Sequence, residues 1–404
     1  MKFSSTKVTG FLGLMALAAV LAACGGGASS SVAKVLPEPK SQSPDLETGQ
    51  AAVRVIGQPD FESFFANQGG AAGLQTINTA FGAPVAYQGK LYVPDTHNNR
   101  ILVFNQGIPE VNGESASFVI GQDSDSDSTA RTTAGGLDAP TALLIYEGRL
   151  VVADWENNRV LIWNQVPVAG TADADLVLGQ SDMDSDQTSC SASGMNRPTG
   201  LAMYGDKLLV SDVRNDRVLV WNSWPETNGQ PADDVIGQDD LVSCSANRGE
   251  TAVTGRGFDI PAFLWSDGER LAIPDLSNNR VLIWNSWPGT ASDMREADLV
   301  LGQLALDANL SQVGQSGMAG PEAVLFDGER MFVSDSSNNR VLIWNGFPLR
   351  SGQAADIVLG QADFETNDIP DISPTSFDYP GQLSVINGKL FVPDWDGNRV
   401  LIFE

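Results

Sequence analysis

Leu150–Asn164 reads LVVADWENNRVLIWN, and five variants of the same phrase recur along the 404-residue chain. They are LYVPDTHNNRILVFN from Leu91, LLVSDVRNDRVLVWN from Leu208, LAIPDLSNNRVLIWN from Leu271, MFVSDSSNNRVLIWN from Met331 and LFVPDWDGNRVLIFE from Leu390. Each copy is two apolar runs joined by a short polar turn, the spelling of a β-hairpin. The second run is apolar at successive positions, as in Val160-Leu161-Ile162-Trp163, so its strand is buried on both faces of the sheet. Self-similarity at a fixed period means one supersecondary unit stacked on copies of itself.

Two further runs complete the unit. One ends in V-(I/L)-G-Q, at Gln58, Gln122, Gln180, Gln238, Gln303 and Gln361; the other follows Pro84, Pro140, Pro198, Pro261, Pro321 and Pro380. Four short strands per unit, buried on both faces, describe a propeller blade. The turn aspartates Asp95, Asp154, Asp212, Asp275, Asp335 and Asp394 are 58 to 63 residues apart, so six blades fill residues 51–404. The predicted fold is all-β, a six-bladed β-propeller of four-stranded antiparallel blades. The chain enters on a fourth-strand phrase, Val53–Gln58, and its final hairpin supplies only a third strand, Arg399–Phe403. The N-terminal strand is therefore expected to complete the C-terminal blade and leave no open edge.

The repeated phrase, with its preceding proline and following VLGQ, resembles the NHL-repeat family across all six units. The resemblance implies a propeller and leaves function wide, because that family includes binding platforms, scaffolds and a few enzymes. The family's Pro-Thr-Gly survives only at Pro198-Thr199-Gly200; Pro261-Ala262-Phe263, Pro321-Glu322-Ala323 and Pro380-Gly381-Gln382 depart from it.

Residues 1–23 read as an export signal, with Lys2 and Lys7 before an apolar stretch too short to span a bilayer. The stretch ends Leu21-Ala22-Ala23-Cys24, which resembles the lipobox of bacterial lipoproteins and implies acylation of Cys24 with palmitate-type chains. The competing reading is a plain secretory signal cut nearby. Gly25 after the cysteine implies the outer membrane, by the same resemblance. Residues 24–50, rich in Gly, Ser and Pro, read as a flexible tether. The net charge of −26 repels nucleic acid, so no nucleic-acid partner is expected, and the membrane is met only through the lipid. A monomer is expected. Cys190 and Cys244 fall in equivalent linkers of consecutive repeats and are expected to pair, against the alternative of two separate thiols.

The six Asp–Arg pairs are Asp95 with Arg100, Asp154 with Arg159, Asp212 with Arg217, Asp275 with Arg280, Asp335 with Arg340 and Asp394 with Arg399. A residue present in every copy maintains blade geometry, so these read as structural turn clasps and not as a ring of metal ligands. Chemistry is sought in residues that break the repeat. At the two variable turn positions these are His97, Trp155, Arg214 and Trp395, candidates for a ligand-binding rim; Gln382 joins them near the channel. Glu322, Asp378 and Asp259 are candidate Ca²⁺ ligands, because a carboxylate and amide cluster suits that ion. No other cofactor is expected. A single histidine and no HExxH or Cys-x-x-Cys leave no recognisable catalytic set, and no catalytic residue is assigned. The composite expectation is a lipid-anchored envelope module that binds a protein, peptide or glycan on its loop face. The alternative is a Ca²⁺-dependent hydrolase or lactonase at the channel mouth. Trp224, Trp287 and Phe347 in the third-to-fourth strand loops form a second rim if exposed.

Overall fold

The computed structural model describes residues 43–404 apart from 171, 369 and 370. Cys24, the signal segment and most of the tether lie outside the described residues. Six four-stranded antiparallel sheets form the six blades of a propeller. In blade 2 the strands are Pro140–Tyr146, Arg149–Asp154, Arg159–Trp163 and Leu176–Leu178, from the channel outwards. The repeated phrase is the central hairpin, with Leu150 opposite Trp163 and Asp154 opposite Arg159. The equivalent pairs recur in the other five blades.

The apolar runs do what their spelling requires. Val160, Leu161, Ile162 and Trp163 are all buried, as are their counterparts in every blade. Apolar side chains gather in six clusters, each filling the space between consecutive blades, and the one between blades 2 and 3 extends into the central channel. The tryptophans at the ends of the third strands are buried, and each indole N–H donates to a backbone carbonyl: Trp163 to Ala172, Trp221 to Gln230, Trp284 to Arg295 and Trp344 to Gln353.

The ring closes as the order of phrases predicts. Arg54–Ile56 pairs with Arg399–Phe403, Arg54 opposite Ile402 and Ile56 opposite Val400, and so becomes the outermost strand of blade 6. Further back, Ser43–Gln50 lies against the propeller instead of hanging free. Leu46 is buried, Arg330 donates to the carbonyl of Pro44, and the Gly49 N–H donates to Val358. The tether boundary at residue 50 therefore falls too late for this segment. Its one large apolar residue, Leu46, packs with Ile343 and Ile357 of blade 5.

The glycine of each V-(I/L)-G-Q phrase has both reasons to be glycine. Its φ lies between 83° and 96° in all six copies. A Cβ there would also strike a side chain buried beneath it, as Gly237 would strike Phe258 at 2.3 Å. A disulfide joins Cys190 to Cys244, with 6.2 Å between the Cα atoms, tying the loops that lead into blades 3 and 4.

Candidate functional site

The clasps come first, because they build the mouth of the channel. Each Asp–Arg pair is fully buried, with Arg Nε to Asp Oδ2 at 2.7–2.8 Å. The second carboxylate oxygen accepts a backbone N–H from the loop that enters the same blade, for example Asp378 N–H to Asp394 at 2.6 Å and Asp259 N–H to Asp275 at 2.7 Å. The guanidinium goes on to hold both neighbouring inter-blade loops. Arg340 donates to the carbonyl of Phe364 on one side and to those of Gly314 and Gly317 on the other. Every guanidinium nitrogen and both carboxylate oxygens are engaged, the condition under which a buried ion pair is tolerated.

A second repeated device places the residues nearest the channel. The last turn residue before each arginine (Asn99, Asn158, Asp216, Asn279, Asn339 or Asn398) is left-handed, with φ between 50° and 57°. Its side-chain oxygen accepts an N–H from the next blade, at Ala139, Arg197, Ile260, Gly320, Tyr379 and Thr79 respectively. Those six acceptor-bound residues also have φ between 53° and 65°. For Ile260 and Thr79, which are β-branched, that conformation carries real strain. The cross-blade hydrogen bond holds each in place, and the glutamine of V-(I/L)-G-Q reinforces it by donating to the same turn, as Gln238 does to the Asp216 carbonyl at 2.9 Å.

This register corrects the reading of blade 1. Thr79, not the residue before Pro84, occupies the position that precedes the proline in the other blades, so Ala80 stands where the proline stands elsewhere. The residues that face the channel one step further on are then Phe81, Thr141, Thr199, Ala262, Glu322 and Gly381. Backbones approach closely here: a Cβ on Gly381 would lie 2.3 Å from the Phe81 carbonyl oxygen, and one on Gly200 would lie 2.7 Å from that of Ala262. Phe81 and Phe263 reach in from opposite blades and meet edge to face at 4.8 Å. Both are buried.

Above this phenyl pair is a cavity of ≈ 400 Å³ lined by Trp155, Val213, Arg214, Ile260, Leu276, Trp395 and Asp396 at the rim, with Phe81, Thr199, Ala262, Glu322 and Tyr379 below. The repeat-breaking residues Trp155, Arg214, Trp395 and Glu322 thus meet in one place. Trp395 is the hub of the aromatic wall: Phe81 lies 4.4 Å from it, Tyr379 6.3 Å and Trp155 6.5 Å, all edge to face. His97 packs on the outer side of Trp395 at 5.6 Å, with Nδ1 2.8 Å from the Thr79 hydroxyl, and does not line the cavity. Arg197 lies over Trp155 at 4.8 Å and pairs with Glu156 at 2.9 Å.

Glu322 is 6 % exposed, and its Oε1 accepts the Tyr379 hydroxyl at 2.8 Å. Burial pushes its carboxyl up to about 7, against smaller lowering effects from Tyr379 and Arg214. Burial beside this acid also raises the Tyr379 phenol, which stays protonated. Tyr379 and Phe81 were not singled out from sequence. Aligning the residues before each proline exposes Tyr379 as a departure from the repeat; Phe81 emerges only when blade 1 is aligned on Ala80.

The remaining candidates lie elsewhere. Gln382 belongs to the seam between blades 6 and 1, its N–H donating to Phe81 and its Oε1 accepting from Ala83. Asp259 and Asp378 sit in the loops entering blades 4 and 6, apart from the cavity lining that includes Glu322. Among the described residues no three His, Cys, Asp or Glu side chains come together as a metal site. The aromatics of the opposite face are half-buried and not an open rim. Trp224 stacks on Tyr146, Trp287 packs on Tyr204, and Phe347 lies under the Arg270 guanidinium at 4.0 Å.

No family model matches the chain, and no curated protein matches it significantly. Among solved structures it is similar to a candidate 6-phosphogluconolactonase from Bacteroides uniformis, at 12 % identity and TM-score 0.45 over 79 % of each chain. It is also similar to the computationally designed protein Ika8, at 10 % identity and TM-score 0.42, over 90 % of this chain and 99 % of that one. Similarity at this level carries nothing about ligand or reaction.

Proposed function

We propose that this chain is an NHL-type propeller, exported and held by a lipid on Cys24, that binds a ligand in the mouth of its channel at the bacterial envelope. Export, acylation and an outer-membrane address rest on the spelling of residues 1–25. The observation that carries the binding function is the convergence of Trp155, Arg214, Trp395 and Glu322 on one cavity. The repeat demands none of the four, and its shared residues lie in the clasps. A cavity of ≈ 400 Å³, mostly apolar with a few polar groups, has the size and make-up of a small-molecule site. That makes the recognised group a small molecule, or the end of a longer chain, more readily than a broad protein surface. The calcium-hydrolase alternative draws no support from the separation of Glu322, Asp259 and Asp378.

The test is a crystallographic fragment screen of the intact protein. Soaked fragments are expected to collect at the channel mouth and to be lost from that place in Trp395→Ala. Fragments scattered over the surface, with none between Trp155 and Trp395, would sink the proposal.

A further inference from the structure

The cavity holds two acids, the exposed Asp396 at its rim and the buried Glu322 below in a largely apolar wall, and the buried one is poorly explained by architecture. The equivalent positions in the other blades are Phe81, Thr141, Thr199, Ala262 and Gly381, so a propeller of this sequence closes without a carboxylate there. Glu322 Oε1 is occupied by the Tyr379 hydroxyl, whereas Oε2 accepts no hydrogen bond among the described residues. A carboxylate in such surroundings calls for a donor or an opposite charge. The walls suit the same partner. Phe81, Tyr379 and Trp155 all stand between 75° and 90° to the Trp395 ring. An aromatic wall attracts a cation wherever a ring presents its π face to it.

Alternatives fit less well. An anionic ligand gains Arg214 but meets a buried carboxylate, and Arg214 is exposed and screened by solvent. A neutral ligand leaves the acid to stay protonated or unmatched. The net charge of −26 also draws cations toward the molecule.

We infer that the channel-mouth cavity takes a small organic molecule carrying a primary ammonium group, with Glu322 as its counter-ion and Trp155, Trp395, Phe81 and Tyr379 around its carbon skeleton. This rests on the reading of the cavity as a ligand site and names the class of ligand. Arg214, the one cation in the lining, opposes such a ligand from the rim and limits its affinity.

The experiment titrates three probes of one shape, benzylamine, benzyl alcohol and benzoate, into the intact protein at about pH 8, where most model amines are still charged. Binding is read by calorimetry and tryptophan fluorescence. Benzylammonium is expected to bind at least about tenfold more tightly than benzyl alcohol, as a charge-assisted hydrogen bond implies, with benzoate weakest. Glu322→Gln keeps the shape and the acceptor for Tyr379; it is expected to remove the preference while binding benzyl alcohol as the parent does. Arg214→Ala is expected to tighten benzylammonium. Equal or tighter binding of the alcohol or benzoate, or a preference that survives Glu322→Gln, overturns the ammonium assignment and leaves the cavity as a ligand site. Failure of all three probes to bind overturns both.

Discussion

The hydroxyl of Tyr379 donates to Oε1 of Glu322 across 2.8 Å, joining the loop that enters blade 6 to the innermost strand of blade 5. Two side chains outside the repeated set are thus bonded to each other at the floor of the cavity. The cross-blade hydrogen bond from Tyr379 N–H to Asn339 holds the tyrosine in its left-handed conformation and so aims the phenol inward.

The acid gives a pH signature. Glu322 titrates at about 7 in the fold against an ordinary 4.5. Between those values the folded protein keeps a proton that the unfolded chain has lost, so stability falls as pH rises. The contribution is complete below the lower value and gone above the upper one, and amounts to about 3 kcal/mol. Melting temperatures of the parent and Glu322→Gln should lie close together at the acid end of that interval, where Gln mimics the protonated acid, and diverge as pH rises, the parent falling below the variant. Parallel curves would show that the acid is not held protonated.

The clasps make a prediction about stability. Arg340→Met leaves Asp335 buried without its cation and should cost about 3–5 kcal/mol. Asp335→Leu combined with Arg340→Met removes both charges and should cost less than the sum of the single changes, in equilibrium urea unfolding. A single replacement no more costly than a surface change would contradict the structural role assigned to the pair.

The disulfide spans 54 residues of sequence, and closing a loop of that length is worth about 4 kcal/mol in the chain-entropy treatment. Cys190→Ser with Cys244→Ser should lower the melting temperature, and added reductant should lower the parent to match. A parent indifferent to reductant would show the bridge to be unformed or without effect.

Acylation is tested in cells. Cys24→Ala should abolish incorporation of labelled palmitate and move the protein from the membrane fraction to the soluble one. A variant that stays membrane-bound would remove the lipid anchor from the proposal.

The repetition of Leu150–Asn164 made the blades, the hairpin register and the ring closure legible, because each depends on residues written six times. The Asp–Arg pairs were legible for the same reason. The cavity was half legible. Trp155, Arg214, Trp395 and Glu322 break the pattern at positions that topology brings to one face. Phe81 escaped notice because blade 1 has Ala80 in place of a proline, which shifts its apparent register onto Pro84 and hides the equivalence of Phe81 with Glu322; Tyr379 escaped because nothing in the sequence reports that the residue before Pro380 turns its ring into the channel. Gln382 has its Oε1 bound to Ala83 in the neighbouring blade, which polarity near a channel does not reveal. Asp259 and Asp378 fall outside the cavity lining, each preceding a left-handed residue, Ile260 or Tyr379, that does line it, and no periodicity reports that local turn.

The pairing of Arg54 with Ile402 has a consequence for when this molecule becomes competent. Partners separated by nearly the whole propeller meet late, since their encounter bears the full loop-closure entropy. Phe81 and Trp395, 4.4 Å apart, face each other across that junction. A nascent or circularly incomplete chain therefore lacks one wall of its own binding chamber, and occupancy of the chamber becomes a report that the circle has shut.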